Sequence, residues 1–182
     1  MRVARLVAVP VLFLAAVAAC SSPRQLHTSI PLAEDALVVD GALPRTGVIS
    51  REQLATLGTV EGHWSHRDKD HAFRGVPLDA VLTHMGFERG EMGPAVPKAA
   101  KAAGWKKVVV ATAADGFQAV FSCAELMPAM GPTRAFVVWE MDGSPLPADQ
   151  GPLRLLVTTD KDGSRSLMAL RSVLVIDLRS NT

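Results

Sequence analysis

An unbroken apolar run from Leu6 to Ala19, preceded by Arg2 and Arg5, most constrains this chain, because it takes the first 19 of 182 residues out of any folded domain. A short basic region ahead of a short apolar one is the pattern of a secretory signal. The run of 14 residues falls short of the roughly 18 that a membrane-spanning helix needs. Pro10 inside it further weakens a stable span. Cleavage after residue 19 leaves 163 residues, one domain's worth and enough to bury a core.

Val17-Ala18-Ala19-Cys20 brings small residues directly up to a cysteine, which resembles the lipobox of bacterial lipoproteins. The resemblance implies that Cys20 is diacylated and becomes the first mature residue. Two or more acyl chains anchor a protein stably where a single chain binds marginally. The expectation is an exported protein of the cell envelope, lipid-anchored on the periplasmic or extracellular face. The alternative is an ordinary signal peptide cleaved near Ala19 with an incidental cysteine.

Residues 20–35 then comprise the lipidated cysteine and a tether, since Ser21 to Glu34 is polar, proline-bearing and without periodicity. Residues 36–182 form the domain. Cys123 is the one other cysteine, so the exported domain relies on packing rather than on a disulfide framework. Losing Arg2 and Arg5 takes the formal net charge from +1 to −1, which leaves no electrostatic case for nucleic acid.

Along the domain, Ala36 to Leu43 reads as a first strand, broken by Asp40-Gly41. Ser50 with Gln53 has capping-box spacing for a short helix that Gly58 ends. Thr59 to Trp64 reads as a strand, followed by a charged loop from Ser65 to Ala72. Pro77 opens the clearest helix, in which Leu78, Val81, Leu82 and Met85 form one apolar stripe before Gly86. Glu88 to Gly104 is an insertion rich in Gly, Pro, Ala and Lys.

The second half is mostly strands. Lys107 to Ala113 and Phe117 to Ser122 flank the hairpin signal Asp115-Gly116. Arg134 to Met141, Leu153 to Val157 and Val173 to Leu178 complete the set. Helices come early and hairpin-linked strands late, which is the pattern of an α+β domain with mixed sheets and few short helices.

Several segments occur in an order that is similar to one family. Phe73-Arg74-Gly75-Val76-Pro77-Leu78, Ala114-Asp115-Gly116-Phe117, Gly143-Ser144-Pro145-Leu146-Pro147, Gly151-Pro152-Leu153-Arg154-Leu155-Leu156-Val157 and the closing stretch Gly163 to Asp177 resemble the sulfite-oxidase-type molybdopterin oxidoreductase domain. The likeness runs over about residues 36–178 and implies an α+β fold with several layers of sheet.

For function, the resemblance implies a molybdopterin cofactor. Catalytic members hold molybdenum through a cysteine thiolate, a soft ligand, in the region ahead of Phe73. Counting back about ten residues from Phe73 lands near His63, and no cysteine lies between Cys20 and Cys123. Cys123 follows a hairpin strand, has no adjacent base, and reads as a small buried apolar residue. Met168 and Ala169 stand where the family commonly has a lysine and a tryptophan. The cofactor's phosphate calls for charge-assisted donors, and the candidates are Arg154, Arg165 and Arg171. Arg154 faces away from Leu153 and Leu155, and reads either as a cofactor contact or as a structural ion pair on a sheet edge.

His63, His66 and His71 fall within nine residues, with Asp68 and Asp70 among them. Imidazole and carboxylate ligate zinc and other first-row ions, so the stretch reads either as a loop-built metal site or as a solvated polar loop. His27 in the tether and His84 off the apolar stripe have no partner pattern. Trp64, Trp105 and Trp139 read as core or rim packing.

Three functions stay open. The first is a non-catalytic module whose former cofactor cleft holds a small molecule, a pterin or an envelope protein partner. The second is an oxidoreductase using molybdopterin or another metal centre. The third is a structural envelope protein.

Overall fold

The computed structural model describes residues 35–87, 106–128, 131–161 and 163–179. The signal segment, Cys20, the tether with His27, the Glu88 to Gly104 stretch and Trp105 lie outside the described residues. The elements in chain order are β1 (Ala36–Gly41), β2 (Gly47–Ser50), α1 (Arg51–Thr56), β3 (Val60–His66), β4 (Lys69–Pro77), α2 (Leu78–His84), β5 (Lys107–Ala113), β6 (Gln118–Ser122), α3 (Cys123–Leu126), β7 (Ala135–Met141), β8 (Ser144–Pro145), β9 (Arg154–Val157) and β10 (Leu170–Asp177).

The local rules that set these elements are visible in their caps. Ser50 accepts from the Gln53 backbone while Gln53 Oε1 accepts from the Ser50 N–H at 2.9 Å, a complete capping box on α1. Ser122 and Glu125 repeat the device on α3. Leu78, Val81, Leu82 and Met85 are all buried, as the stripe on α2 requires, and each fully buried leucine contributes about 1.5–3 kcal/mol.

Two sheets carry the fold. Sheet one has the order β2-β1-β10-β5-β6, and sheet two runs β3-β4-β7-β8 with β9 also paired to β7. β1 and β10 are parallel while the other pairings are antiparallel, so sheet one is mixed and the α+β class holds. The inward faces share one core: Leu37, Val39, Val109, Val173 and Val175 from sheet one meet Val76, Val137, Leu155 and Val157 from sheet two, with Leu54 of α1 and the α2 stripe.

The structure corrects the charged loop expected over Ser65 to Ala72. That stretch is a tight hairpin, with β3 and β4 paired from Val60↔Gly75 to His66↔Lys69. Its two-residue turn, Arg67-Asp68, holds φ of 49° and 61°. Both turn residues are left-handed, the geometry that matches the twist of a two-residue hairpin. No glycine marks this turn, and so no sequence signal announced it. β2, β8 and α3 are further elements beyond those expected.

Candidate functional site on the outer face of sheet two

Residues opposite one another in a ladder project to the same face of the sheet. On the outer face of sheet two this places Trp64, Phe73, Val138 and Leu156 together as a second buried cluster, with Val60, Phe136 and Met141 packed against it. Arg154, paired with Val138, belongs to the same face and is only 7% exposed. Its Nη1 donates to Gln150 Oε1 at 2.7 Å and lies 3.6 Å from Met141 Sδ. The guanidinium carbon sits 5.0 Å from the centre of the Trp64 ring.

Arg154 thus forms no ion pair on a sheet edge. Among the described residues it has no carboxylate partner, and its Nε is buried without an acceptor. The neighbouring Trp64 Nε1 is likewise buried and unpartnered. Burial pushes the Arg154 pKa down, the direction expected for a desolvated cation. Two orphaned donors side by side are costly, because an unmade buried hydrogen bond forfeits about 1–3 kcal/mol. The arrangement can accept an anion or another acceptor group aimed at this spot.

The histidines surround Trp64 unequally. His66 stacks on its ring at 4.8 Å and 11°, and His71 tilts against it at 6.2 Å. His71 Nδ1 lies 2.8 Å from Asp142 Oδ2, while Asp142 Oδ1 accepts from the Ala72 N–H at 3.0 Å. The hydrogen bond from His71 is the main cause holding the Asp142 carboxyl below its usual range. This pairing ties the β3–β4 hairpin to the β7–β8 turn, a link that Asp142-Gly143, read as a turn signal alone, did not reveal.

His63 alternates to the opposite face and lines a depression of about 320 Å³ with Glu61, Arg74 and Glu140. The three expected metal ligands are therefore not brought to one point. No group of three or more His, Cys, Asp or Glu among the described residues has metal-holding geometry.

The expected arginines also stand apart in their roles. Arg165 donates to both oxygens of Asp160 at 2.7 and 2.8 Å and to Glu125 Oε2 at 3.0 Å, with its guanidinium 4.8 Å from the Phe121 ring. These hydrogen bonds, Asp160's first, raise its pKa and lower that of Asp160. It links the turn after β9 to α3. Arg171 lies in β10 at the register irregularity between Leu170 and Ser172. The closing turn nonetheless reaches Trp64: a Cβ added at Gly163, whose φ is +60°, would stand 3.0 Å from the indole, so only glycine lets this turn lie so close.

Cys123, the one described cysteine, is 1% exposed within the main core. Desolvation pushes its thiol up to about 12, the reverse of what a metal-ligating thiolate needs. A molybdenum centre held by a protein thiolate does not fit the described residues. Arg154, without a carboxylate partner among the described residues, is a fitting donor for the phosphate end of a pterin cofactor.

No curated protein sequence matches the chain. Among solved structures it is similar to the sulfane dehydrogenase SoxCD from Paracoccus pantotrophus, with a TM-score of 0.58 and 15% identity, over 81% of this chain and 40% of that one. At that identity the likeness speaks for the fold alone, and the chain spans well under half of the longer protein. The model of the oxidoreductase molybdopterin binding domain family matches residues 48–182, which include the β3–β4 hairpin, Arg154 and the closing turn. The chain belongs to the oxidoreductase molybdopterin binding domain family.

Proposed function

We propose that this protein is an exported, lipid-anchored binding module that holds an anionic small molecule on Arg154 and carries out no redox step of its own. The observation that carries this reading is the buried, carboxylate-free guanidinium of Arg154 beside the unpartnered Trp64 Nε1. A buried cation without a counter-charge is costly, and a ligand that supplies the anion offsets that cost. A pterin phosphate is the ligand class that the family membership favours. The non-catalytic part rests on the donor set: Cys123 is sequestered with a raised pKa, and the histidines diverge in facing.

The anchor rests on Cys20 and its preceding small residues. Changing Cys20→Ser is expected to release the protein from membranes, and continued retention in a detergent-sensitive fraction overturns the anchor.

The binding reading is tested on the full chain purified from its exported location. Elemental analysis and pterin fluorescence of the denatured protein are recorded first, then thermal unfolding with inorganic phosphate. Phosphate at about 100 times its Kd is expected to add about 2.7 kcal/mol to the wild type and nothing to Arg154→Met. Equal stabilisation of both proteins removes Arg154 as the anion site. Stoichiometric molybdenum with pterin reinstates the oxidoreductase, and a bound first-row metal redirects attention to the histidines.

A further inference from the structure

Strand β6 closes one side of sheet one, and among the described residues only β5 pairs with it. A strand in that position presents every second residue's N–H and C=O outward, a template for another strand. Natural edges are usually blunted by lysine, proline, a bulge or an inward charge. The segment Gln118-Ala119-Val120-Phe121-Ser122 has none of these, and its pairing with β5 runs without a register shift.

The sheet face that this edge borders carries apolar rows among polar residues, Asp40, Ser172, Thr112, Gln118 and Ser122 sharing it. Cross-strand partners Leu174, Val110 and Val120 form one outward row, with Val38 opposite Val48 and Ile176 opposite Val108 in parallel rows. Val120 ends its row 54% exposed, with no neighbour beyond it among the described strands.

From this we infer that β6 is a self-pairing edge: a second copy of this chain adds its own β6 antiparallel about a two-fold axis at Val120, making one continuous ten-stranded sheet. The sequence is self-complementary in that register. Val120 meets the Val120 of its partner, extending the apolar row across the axis. Outward Gln118 meets outward Ser122, both polar, while inward Ala119 lies opposite inward Phe121, small against large. Apolar β-branched pairs and matched polar pairs are what stabilise adjacent strands.

No charge within the segment opposes the pairing, and the nearest flanking acids are engaged in their own chain. Asp115 accepts from the Phe117 N–H, and Glu125 accepts from Arg165 and, through Oε1, from the Ser122 N–H at 2.7 Å, which leaves the self-paired ladder to Val120 and to the Gln118 N–H. Five paired residues form an interface well below the roughly 1,200–2,000 Å² of a permanent complex, so the association is reversible and gains from confinement of the copies on one surface.

The test is oxidative cross-linking of full-length Val120→Cys in its native membranes with copper phenanthroline. Directly opposed antiparallel residues have Cα atoms about 4.5–5.5 Å apart, within disulfide reach. At least half of this variant is expected to run as a reducible dimer. The wild type stays at background, as do Gln118→Cys, which stands four residues out of register with its own copy, and Leu174→Cys, two strands inward. A Val120→Cys thiol that a water-soluble maleimide labels but that gives no dimer overturns the inference. So does a Leu174→Cys dimer of equal yield, which marks a face-to-face contact. A cross-link to a different protein, or protection of both cysteines by the bilayer, overturns it as well.

Discussion

Replacing Arg154 with methionine separates a residue kept for binding from one kept for stability. Methionine preserves most of the aliphatic stem and removes the charge that lies over the Trp64 ring. Three interactions change. The hydrogen bond to Gln150 Oε1 is worth about 1.5–3 kcal/mol, as bonds to charged groups are. The contact with the Trp64 ring is worth about 0.5–2 kcal/mol. Against these stands the burial of a cation with no carboxylate, which costs several kcal/mol after relaxation.

The opposing quantities are of similar size, so Arg154→Met is expected to unfold within about 1 kcal/mol of the wild type. For a domain of this length that is a Tm shift of about 2–4 °C in either direction. Urea unfolding followed by tryptophan fluorescence measures the free energy, and the ligand-free proteins are compared at one salt concentration. A loss of about 3 kcal/mol or more would refute the reasoning, because it would make Arg154 a structural support whose orphaned Nε has another explanation.

Two further perturbations follow from the burial and the ion pairs. Asp160→Asn removes the bidentate partner of Arg165 and is expected to cost about 1–3 kcal/mol at pH 7. Because the Asp160 carboxyl is held below its usual range in the folded state, its contribution is present above about pH 4 and disappears as pH falls through its lowered value. The gap between variant and wild type therefore closes in acid, and a gap that stays constant to pH 2 contradicts it. Cys123 is expected to react with an aromatic disulfide reagent only as fast as the core opens, at least about 100-fold slower than in denaturant. Rapid labelling of the native Cys20→Ser protein at pH 8 would show that the thiol is not sequestered.

The parts legible in the sequence were those written in local code. Ser50 and Gln53 make their reciprocal cap within four residues, the α2 stripe repeats at helical period, and Asp115-Gly116 names its own turn. The same code is present at Ser122-Cys123-Ala124-Glu125, where a serine three residues before a glutamate caps α3, but four residues are too few for a helical apolar period to mark the helix. The β3–β4 hairpin was hidden for a physical reason. Its turn is made by Arg67 and Asp68 in left-handed conformations, which only the register of the flanking strands enforces. The parallel pairing of β1 with β10 joins segments from opposite ends of the domain, and no window along the chain contains it. The candidate site suffered from both effects. His63, His66 and His71 are close in sequence, yet strand alternation sends His63 to the other side of the sheet.

Arg154 and Arg165 come from neighbouring segments of the same family pattern, and their fates differ in a way that bears on function. Arg165 is structural: Asp160 and Glu125 satisfy it, and it joins the closing turn to α3. Such a network holds its place without any ligand. Arg154 has no carboxylate partner among the described residues, although its position on the outer face of sheet two lies within reach of Gln150, Met141 and Trp64. A glutamate at position 150 or 141 would neutralise it and remove the cost of its burial. Gln150 and Met141 stand there instead, neutral acceptors for the guanidinium rather than charged ones. An uncompensated cation is what a site for an anionic ligand requires, since an internal carboxylate would compete with the ligand for the same guanidinium. The contrast predicts that Gln150→Glu stabilises the ligand-free protein and weakens phosphate binding at least tenfold. A variant in which stability rises while phosphate affinity is unchanged would separate Arg154 from the binding site.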